Sequence, residues 1–211
     1  MVRQFRDEEL NYFKFASIVL NEFPKALQQT FKLMWDNNFG PTQPWDDSEA
    51  ARNSFLAKEG GTSKVPTKKS YEEWDCTALF KATIYAQCFA LPDSKGHHKN
   101  LSDLYVKTLG LPEESFHTSV VSPYGNNAET FALAIDNLRR LRNFHCHLAS
   151  CEMEKITFDQ CVQHGKEAFK ALGVKTDSID EVGRLTESHF PTKEVAMLER
   201  KIRYMRFVLF D

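Results

Sequence analysis

Apolar residues recur at spacings of three and four along most of this chain, which is the period of an α-helix. The first stripe consists of Ala16, Leu20, Phe23, Leu27, Phe31 and Met34. Pro24 lies inside that stripe and has no backbone N–H, so it predicts a bend or the start of a second helix. Alternation of apolar and polar residues, the pattern of a half-buried strand, is almost absent. The sequence therefore predicts an all-α fold.

Capping patterns place several further helices. Asp46 or Asp47 is a candidate cap for a short helix that ends near Lys58. The segments Ser70-Tyr71-Glu72-Glu73 and Thr157-Phe158-Asp159-Gln160 both match the capping box, in which a hydroxyl and an acidic or amide side chain three residues later satisfy each other's backbone donors. They predict helices that begin near Tyr71, ending before Pro92, and near Phe158.

The longest predicted helix spans residues 129–148 and is central to the chain. A weaker helical segment follows residue 178, and Pro191-Thr192 predicts the start of a last helix. We expect residues 1–174 to form a helical bundle, with residues 175–211 as a C-terminal helical extension packed on the same domain.

Composition excludes some classes of protein and localisation. A net charge of −2 over 211 residues shows no overall bias toward nucleic acid, so any contact with RNA must come from a local patch. No apolar run approaches the roughly 18 residues needed to span a bilayer, and the N-terminal apolar residues are interleaved with polar ones, unlike a signal peptide. The five cysteines lie in apolar periodic stretches, which favours reduced thiols and a cytoplasmic protein.

The densest chemistry lies in residues 139–147, Arg-Arg-Leu-Arg-Asn-Phe-His-Cys-His. Arginine holds phosphate in a bidentate manner, and histidine accepts and donates protons near neutral pH. These are the groups that metal-free RNA cleavage needs, because a base activates the 2′-hydroxyl and a cation stabilises the phosphate oxygens. A structural interpretation competes with this one, since arginine and histidine near a helix C-terminus also stabilise the helix dipole and bond the last carbonyls.

The segment resembles the motif of the HEPN superfamily, in which an arginine and a polar residue are followed after a few positions by histidine. Arg142-Asn143 and then His147 fit that pattern. The likeness is closest to the branch found in RNA-binding ubiquitin ligases and many invertebrate multidomain proteins. It covers roughly residues 10–173 and includes early helices like 15–34 and 74–80 and a closing helix like 168–173.

The resemblance implies a HEPN-like bundle with additional C-terminal helices, a homodimer, and a metal-independent endoribonuclease without a cofactor. It implies that Arg142 engages the scissile phosphate of single-stranded RNA and that His147 acts as general acid or base. Asn143 would then orient one of these groups or bond the RNA. Arg139 and Arg140 are candidates for additional RNA contacts. The alternative function is a non-catalytic dimerisation or interaction module in innate-immune or ubiquitin signalling, within a larger polypeptide with other protein domains.

The pairing of arginine with histidine stays open at this point. Residues five apart on a regular helix lie about 140° from each other, so Arg142 and His147 converge only if the helix ends or distorts between them. His145 shares the Arg142 face better.

A zinc site is a competing interpretation of the same region. It would use cysteine and histidine side chains among residues 145–164, but the spacing lacks the tight Cys-x2-Cys pair that is common in zinc knuckles. We therefore expect no metal. The last helix also carries Arg200, Lys201, Arg203 and Arg206, which is typical of either an RNA-facing or partner-facing surface or a packed terminal helix with a charged outer face.

Overall fold

The computed structural model describes residues 5–113, 115–148, 150–190 and 192–210, and the fold within them is all-α. Its α-helices are α1 (Asp7–Ser17), α2 (Phe23–Phe39), α3 (Glu49–Lys58), α4 (Cys76–Ala82), α5 (Asn127–His147), α6 (Lys155–Ala171), α7 (Asp177–Gly183) and α8 (Thr192–Phe210). Two antiparallel strands of two residues each, β1 (Leu91–Pro92) and β2 (His98–Lys99), make one short hairpin. The prediction of an all-α fold is confirmed.

The central position of α5 follows from its sequence. The Asn126 side chain accepts hydrogen bonds from the backbone N–H groups of Ala128 and Glu129 and so caps the helix start. Twelve of the 21 residues of α5 are buried, including polar ones, because the helix packs against α4, α6 and α8. The predicted helix over residues 129–148 is thus confirmed to within two residues at its start.

A π-helical turn, Ile18–Glu22, joins α1 to α2. The N–H of Phe23 donates to the carbonyl of Ile18, five residues back. Pro24 has no N–H to donate to the carbonyl of Leu20, so the regular α-helical ladder is interrupted at this point. The expected effect of Pro24 is therefore found as a change of helix type at the start of α2.

Three predicted helix starts are wrong. For α3, the cap is Ser48, whose side chain accepts from the Ala51 N–H, and not Asp46 or Asp47. The other two are the starts predicted from capping boxes. Tyr71–Glu73 forms only a 3-10 turn, Trp74 is extended, and the Asp75 side chain caps α4 by accepting from the Ala78 N–H. That helix ends at Ala82 and does not continue toward Pro92. On α6, the helix begins at Lys155, before the predicted capping box, so Thr157 is already helical. The cap positions are taken by Asp75, two residues after the first motif, and by Glu154, three residues before the second.

Aromatic side chains fill the end of the core formed by α2, α3 and the 3-10 turn. Phe31 lies at the centre of this cluster, with its ring centroid 4.7 Å from that of Trp45 and 5.5 Å from that of Trp74. The C-terminal helices belong to the same core: Val195, Leu198 and Ile202 of α8 are buried in it. α7 packs on α1, and α8 packs on α1 and α5. The start of α8 at Pro191 lies outside the described residues.

Candidate functional site

The Arg-His segment lies in the last turns of α5, and its side chains point to different environments. Arg142 is only 3% exposed, and its Nη2 donates to the Thr77 hydroxyl of α4 at 2.8 Å. Its guanidinium carbon also lies 5.5 Å from the centre of the Phe80 ring. No hydrogen-bond partner for its Nε and no ion pair to a carboxylate are found in the described part of the chain. Arg142 is therefore a buried cation without a neutralising partner.

Arg142 lines a groove of about 590 Å³, which we call the Arg142 groove. The π-helical turn and Pro24 form part of one wall, the 3-10 turn and the start of α4 form another, and α8 closes the third side. Its lining residues are Val19, Leu20, Pro24, Glu72, Glu73, Trp74, Asp75, Cys76, Thr77, Arg142, Arg200, Lys201, Tyr204 and Met205. These residues come from segments far apart in sequence, so the groove exists only in the folded chain.

The charges of the groove come from different segments. Arg200 and Lys201 lie on α8, whereas Glu72, Glu73 and Asp75 lie at and just before the start of α4. No ion pair joins these two segments among the residues that the structure describes. Burial lowers the pKa of the Arg142 guanidinium, and the neighbouring groups Cys76, Cys146 and Asp75 act in the opposite direction. Since arginine stays charged under all ordinary conditions, the floor of the groove is cationic.

His145 lies inside the core and does not line the groove. Its side chain is fully buried and stacks on Tyr12, with ring centroids 4.6 Å apart. Neither ring nitrogen has a hydrogen-bond partner of ordinary geometry in the described part of the chain. Burial lowers the pKa of His145 to about 3, and the nearby Arg206 guanidinium lowers it further, against a smaller effect of the Tyr12 backbone. His145 is a neutral core residue at physiological pH.

His147 and Asn143 are more accessible to solvent than Arg142 and His145. His147 is exposed and is the last residue of α5. Asn143 is half-buried, and its Oδ1 is buried without a hydrogen-bond partner among the described residues. Neither side chain lines the Arg142 groove. The structure thus brings Arg142 together with Thr77 and with α8, and places the two candidate histidines on other faces of the helix end.

Arg139 and Arg140 are engaged by a buried carboxylate that the sequence analysis did not single out. Asp136 is fully buried and accepts hydrogen bonds from Arg139 Nε at 2.8 Å and Arg140 Nε at 2.6 Å, and it lies 2.8 Å from His117 Nε2. Burial raises the Asp136 pKa, but these three partners lower it more, to about 2. The spacing of Asp136 three and four residues before the two arginines was the sequence pattern that predicts such pairing.

Arg140 also forms hydrogen bonds with the irregular segment before α5. Its Nη1 donates to the carbonyl of Pro112 at 2.6 Å and to that of Ser115 at 3.1 Å. The backbone N–H of His117 donates to the Asn137 side chain of α5 as well. The two arginines therefore have structural partners, and their expected contact with RNA stays a prediction.

The structure gives no metal centre and no membrane segment in its described part. No three histidine, cysteine, aspartate or glutamate side chains there are grouped so that they could hold a metal ion. Each of the five cysteines, all of which lie in the described ranges, is a free thiol. None of the described helices has the length and apolar character needed to cross a bilayer.

Comparisons with protein-family models, with proteins of known function and with solved structures gave no match. The resemblance to HEPN therefore stays a prediction that rests on the motif and the order of the helices.

Proposed function

We propose that this chain is a HEPN-like domain that binds single-stranded RNA through phosphate contacts in the Arg142 groove. The observation that carries the proposal is the buried, unpaired guanidinium of Arg142 on the floor of an open groove. A buried cation without an anion is costly, so a phosphate that enters the groove and accepts its free N–H groups removes that cost.

The second support is the position of α8 beside Arg142. Arg200 and Lys201 of this helix are exposed and line the groove together with Arg142, so three cations share an opening that also holds the carboxylates of Glu72, Glu73 and Asp75. Arginine and phosphate match in geometry, because two N–H groups of the guanidinium reach two phosphate oxygens. These three cations support the proposal of phosphate contact in the groove.

Arg142→Gln is expected to weaken binding of a fluorescent single-stranded RNA by roughly 10- to 150-fold, the loss expected for a charged hydrogen bond. Glutamine retains an amide that reaches toward Thr77 but has no charge. The slope of log Kd against log salt concentration should also decrease by about 0.7, corresponding to one lost phosphate contact on a single strand. Fluorescence anisotropy over a salt series measures both quantities.

A matched control exists on α8. The double variant Arg200→Ala/Lys201→Ala removes two groove cations, whereas Arg203→Ala removes an exposed cation of the same helix that does not line the groove. We expect weaker binding for the first and unchanged binding for the second. Thermal unfolding of each variant monitors the fold. Equal affinity and equal salt slope for the wild type and Arg142→Gln would contradict the proposal.

Cleavage of the bound RNA is a second candidate function, favoured by the exposure of His147 at the end of α5. In EDTA, we expect the wild type to produce a cyclic phosphate end by 2′-hydroxyl attack, His147→Ala to be slower by about 10²–10⁴-fold, and Arg142→Ala to be inactive. His145→Phe is the control, since a fully buried histidine with a pKa of about 3 does not exchange protons with a substrate. Equal rates for all variants, or no cleavage by any, would rule this candidate out.

The alternative class, a non-catalytic interaction module in innate-immune or ubiquitin signalling, predicts a different set of results. It predicts a homodimer that survives replacement of both His145 and His147, without RNA turnover and without a salt-dependent RNA affinity. Light scattering of the wild type and the double variant, measured beside the RNA titration, separates this alternative from the RNA-binding proposal.

A further inference from the structure

Tyr204 is the one aromatic side chain of the Arg142 groove that is exposed to solvent. It lies on α8 and is 62% exposed, whereas Trp74, the other aromatic residue of the lining, is 1% exposed. Its hydroxyl has no hydrogen-bond partner within the described residues, so polar contacts do not hold the ring. An exposed tyrosine ring on the surface is ordinary, but this one lies in the same groove as Arg142, Arg200 and Lys201, for which no ion pair is found among the described residues.

An aromatic ring beside cations is the arrangement by which proteins hold single-stranded nucleic acid. The cations contact the backbone, and unpaired bases stack on the ring at a gain that depends little on base identity. In a duplex the bases are already stacked on each other and their faces are closed to a protein side chain. A ring that is free on its solvent side therefore selects for unpaired nucleotides.

The acidic residues of the lining restrict where the phosphate of such a ligand can lie. Glu72 and Glu73 are exposed carboxylates without partners among the described residues, and they repel phosphate. The backbone is therefore favoured near Arg142, Arg200 and Lys201, and the base at Tyr204, next to which Met205 supplies apolar surface on the same helix. A volume of about 590 Å³ is in the range of pockets that hold a small ligand.

Resting on the RNA-binding function proposed above, we propose that Tyr204 is a base-stacking platform that makes the Arg142 groove specific for an unpaired nucleotide. The phosphate of that nucleotide lies at Arg142, and its base lies on the Tyr204 ring. The groove then discriminates by strandedness and only weakly by sequence.

The test uses the full chain and three kinds of oligonucleotide probe. The first is a single-stranded RNA, the second is a series of the same strand in which each position in turn is abasic, and the third is the corresponding duplex. Tyr204→Ala is expected to weaken binding of the single strand by roughly 5- to 150-fold, the range for loss of one stacked base. Tyr204→Phe keeps the ring and is expected to bind as the wild type does. The matched control is Tyr124→Ala, which removes a tyrosine that is 89% exposed and lies outside the groove.

Three readouts separate stacking from a structural role of Tyr204. The salt slope of Tyr204→Ala should equal that of the wild type, because no phosphate contact is lost. The preference for single strand over duplex should fall. The losses from Tyr204→Ala and from the most damaging abasic position should not add, since both remove the same contact.

The outcomes are distinguishable from those of the RNA-binding proposal. RNA binding that depends on Arg142 but is the same in Tyr204→Ala and Tyr124→Ala overturns the stacking inference alone. A smaller dependence of the affinity of Tyr204→Ala on salt concentration also overturns the stacking inference, because it indicates that α8 and its cations are displaced. Absence of RNA binding by the wild type overturns both proposals.

Discussion

Replacing Asp136 by alanine is expected to lower the free energy of unfolding by about 3–5 kcal/mol at neutral pH, the usual effect of removing one partner from a buried ion pair. The carboxylate is fully buried, and Arg140, which is 6% exposed, has no other acidic partner within the described residues. Without Asp136, the Arg140 guanidinium is a buried charge that only backbone carbonyls solvate. The loss is therefore larger than the net contribution of the ion pair itself.

Urea denaturation measures this change, and a surface pair supplies the control. Asp159 of α6 forms an exposed ion pair with Lys155, so Asp159→Ala should change the midpoint little. Asp136→Asn keeps the shape and one acceptor oxygen and should be intermediate. A loss below about 1 kcal/mol for Asp136→Ala would contradict the proposed role, because it would mean that water solvates Arg140 after the change.

The Asp136 network also explains why the irregular segment before α5 stays in place. Arg140 bonds the carbonyls of Pro112 and Ser115, and His117 bonds both Asp136 and Asn137. None of these residues lines the Arg142 groove. Variants at Asp136 that remain folded are therefore expected to retain RNA affinity, which separates the structural arginines of α5 from Arg142.

The helices with strong periodicity and clear caps were predictable from sequence, as α5 shows. Its start at Asn127 and end at His147 follow from a polar cap and a long apolar stripe that tertiary packing reinforces. α4 was not predictable in the same way. Two possible caps, Ser70 and Asp75, lie five residues apart, and the buried, extended Trp74 between them separates the 3-10 turn from the helix that Asp75 caps.

The candidate site was predictable only in part for a similar reason. The sequence identifies residues 139–147 as a dense set of cations and histidines, but it does not say which side chain faces which neighbour. Arg142 faces Thr77, Arg140 faces Asp136, and His145 faces Tyr12. Tyr204 joins the groove because α8 packs beside α5, a contact between residues some 60 positions apart for which periodicity carries no information.

The burial of His145 predicts a marked loss of stability in mild acid. Its pKa is about 3 in the folded chain and about 6.5 when exposed. Below pH 6.5 the unfolded chain takes up a proton that the folded chain does not, so the free energy of unfolding falls by about 1.4 kcal/mol for each pH unit. The contribution is fully retained above pH 6.5 and is lost as the pH falls toward 3. Between pH 6.5 and 4.5 the expected loss from this residue is about 2 kcal/mol.

His145→Phe removes the titrating group and keeps an aromatic ring against Tyr12, and His145→Gln removes it without the ring. Both variants should lose this part of the pH dependence in urea denaturation at pH 4.5–7.5, even if their absolute stabilities differ. His98→Gln, at an exposed position on β2, is the control and should follow the wild type.

Between pH 6.5 and 4.5, the change in the free energy of unfolding that comes from His145 is separate from the change that comes from Asp136. Asp136, with a pKa lowered to about 2, contributes stability above pH 3.9 and loses it only as the pH falls below that value, so it does not affect the range from 6.5 to 4.5. A slope in that range that is unchanged by both His145 variants would show that the ring is accessible to protons in the folded chain. In that case His145 would be a candidate for proton transfer, and the assignment of that role to His147 would not stand alone.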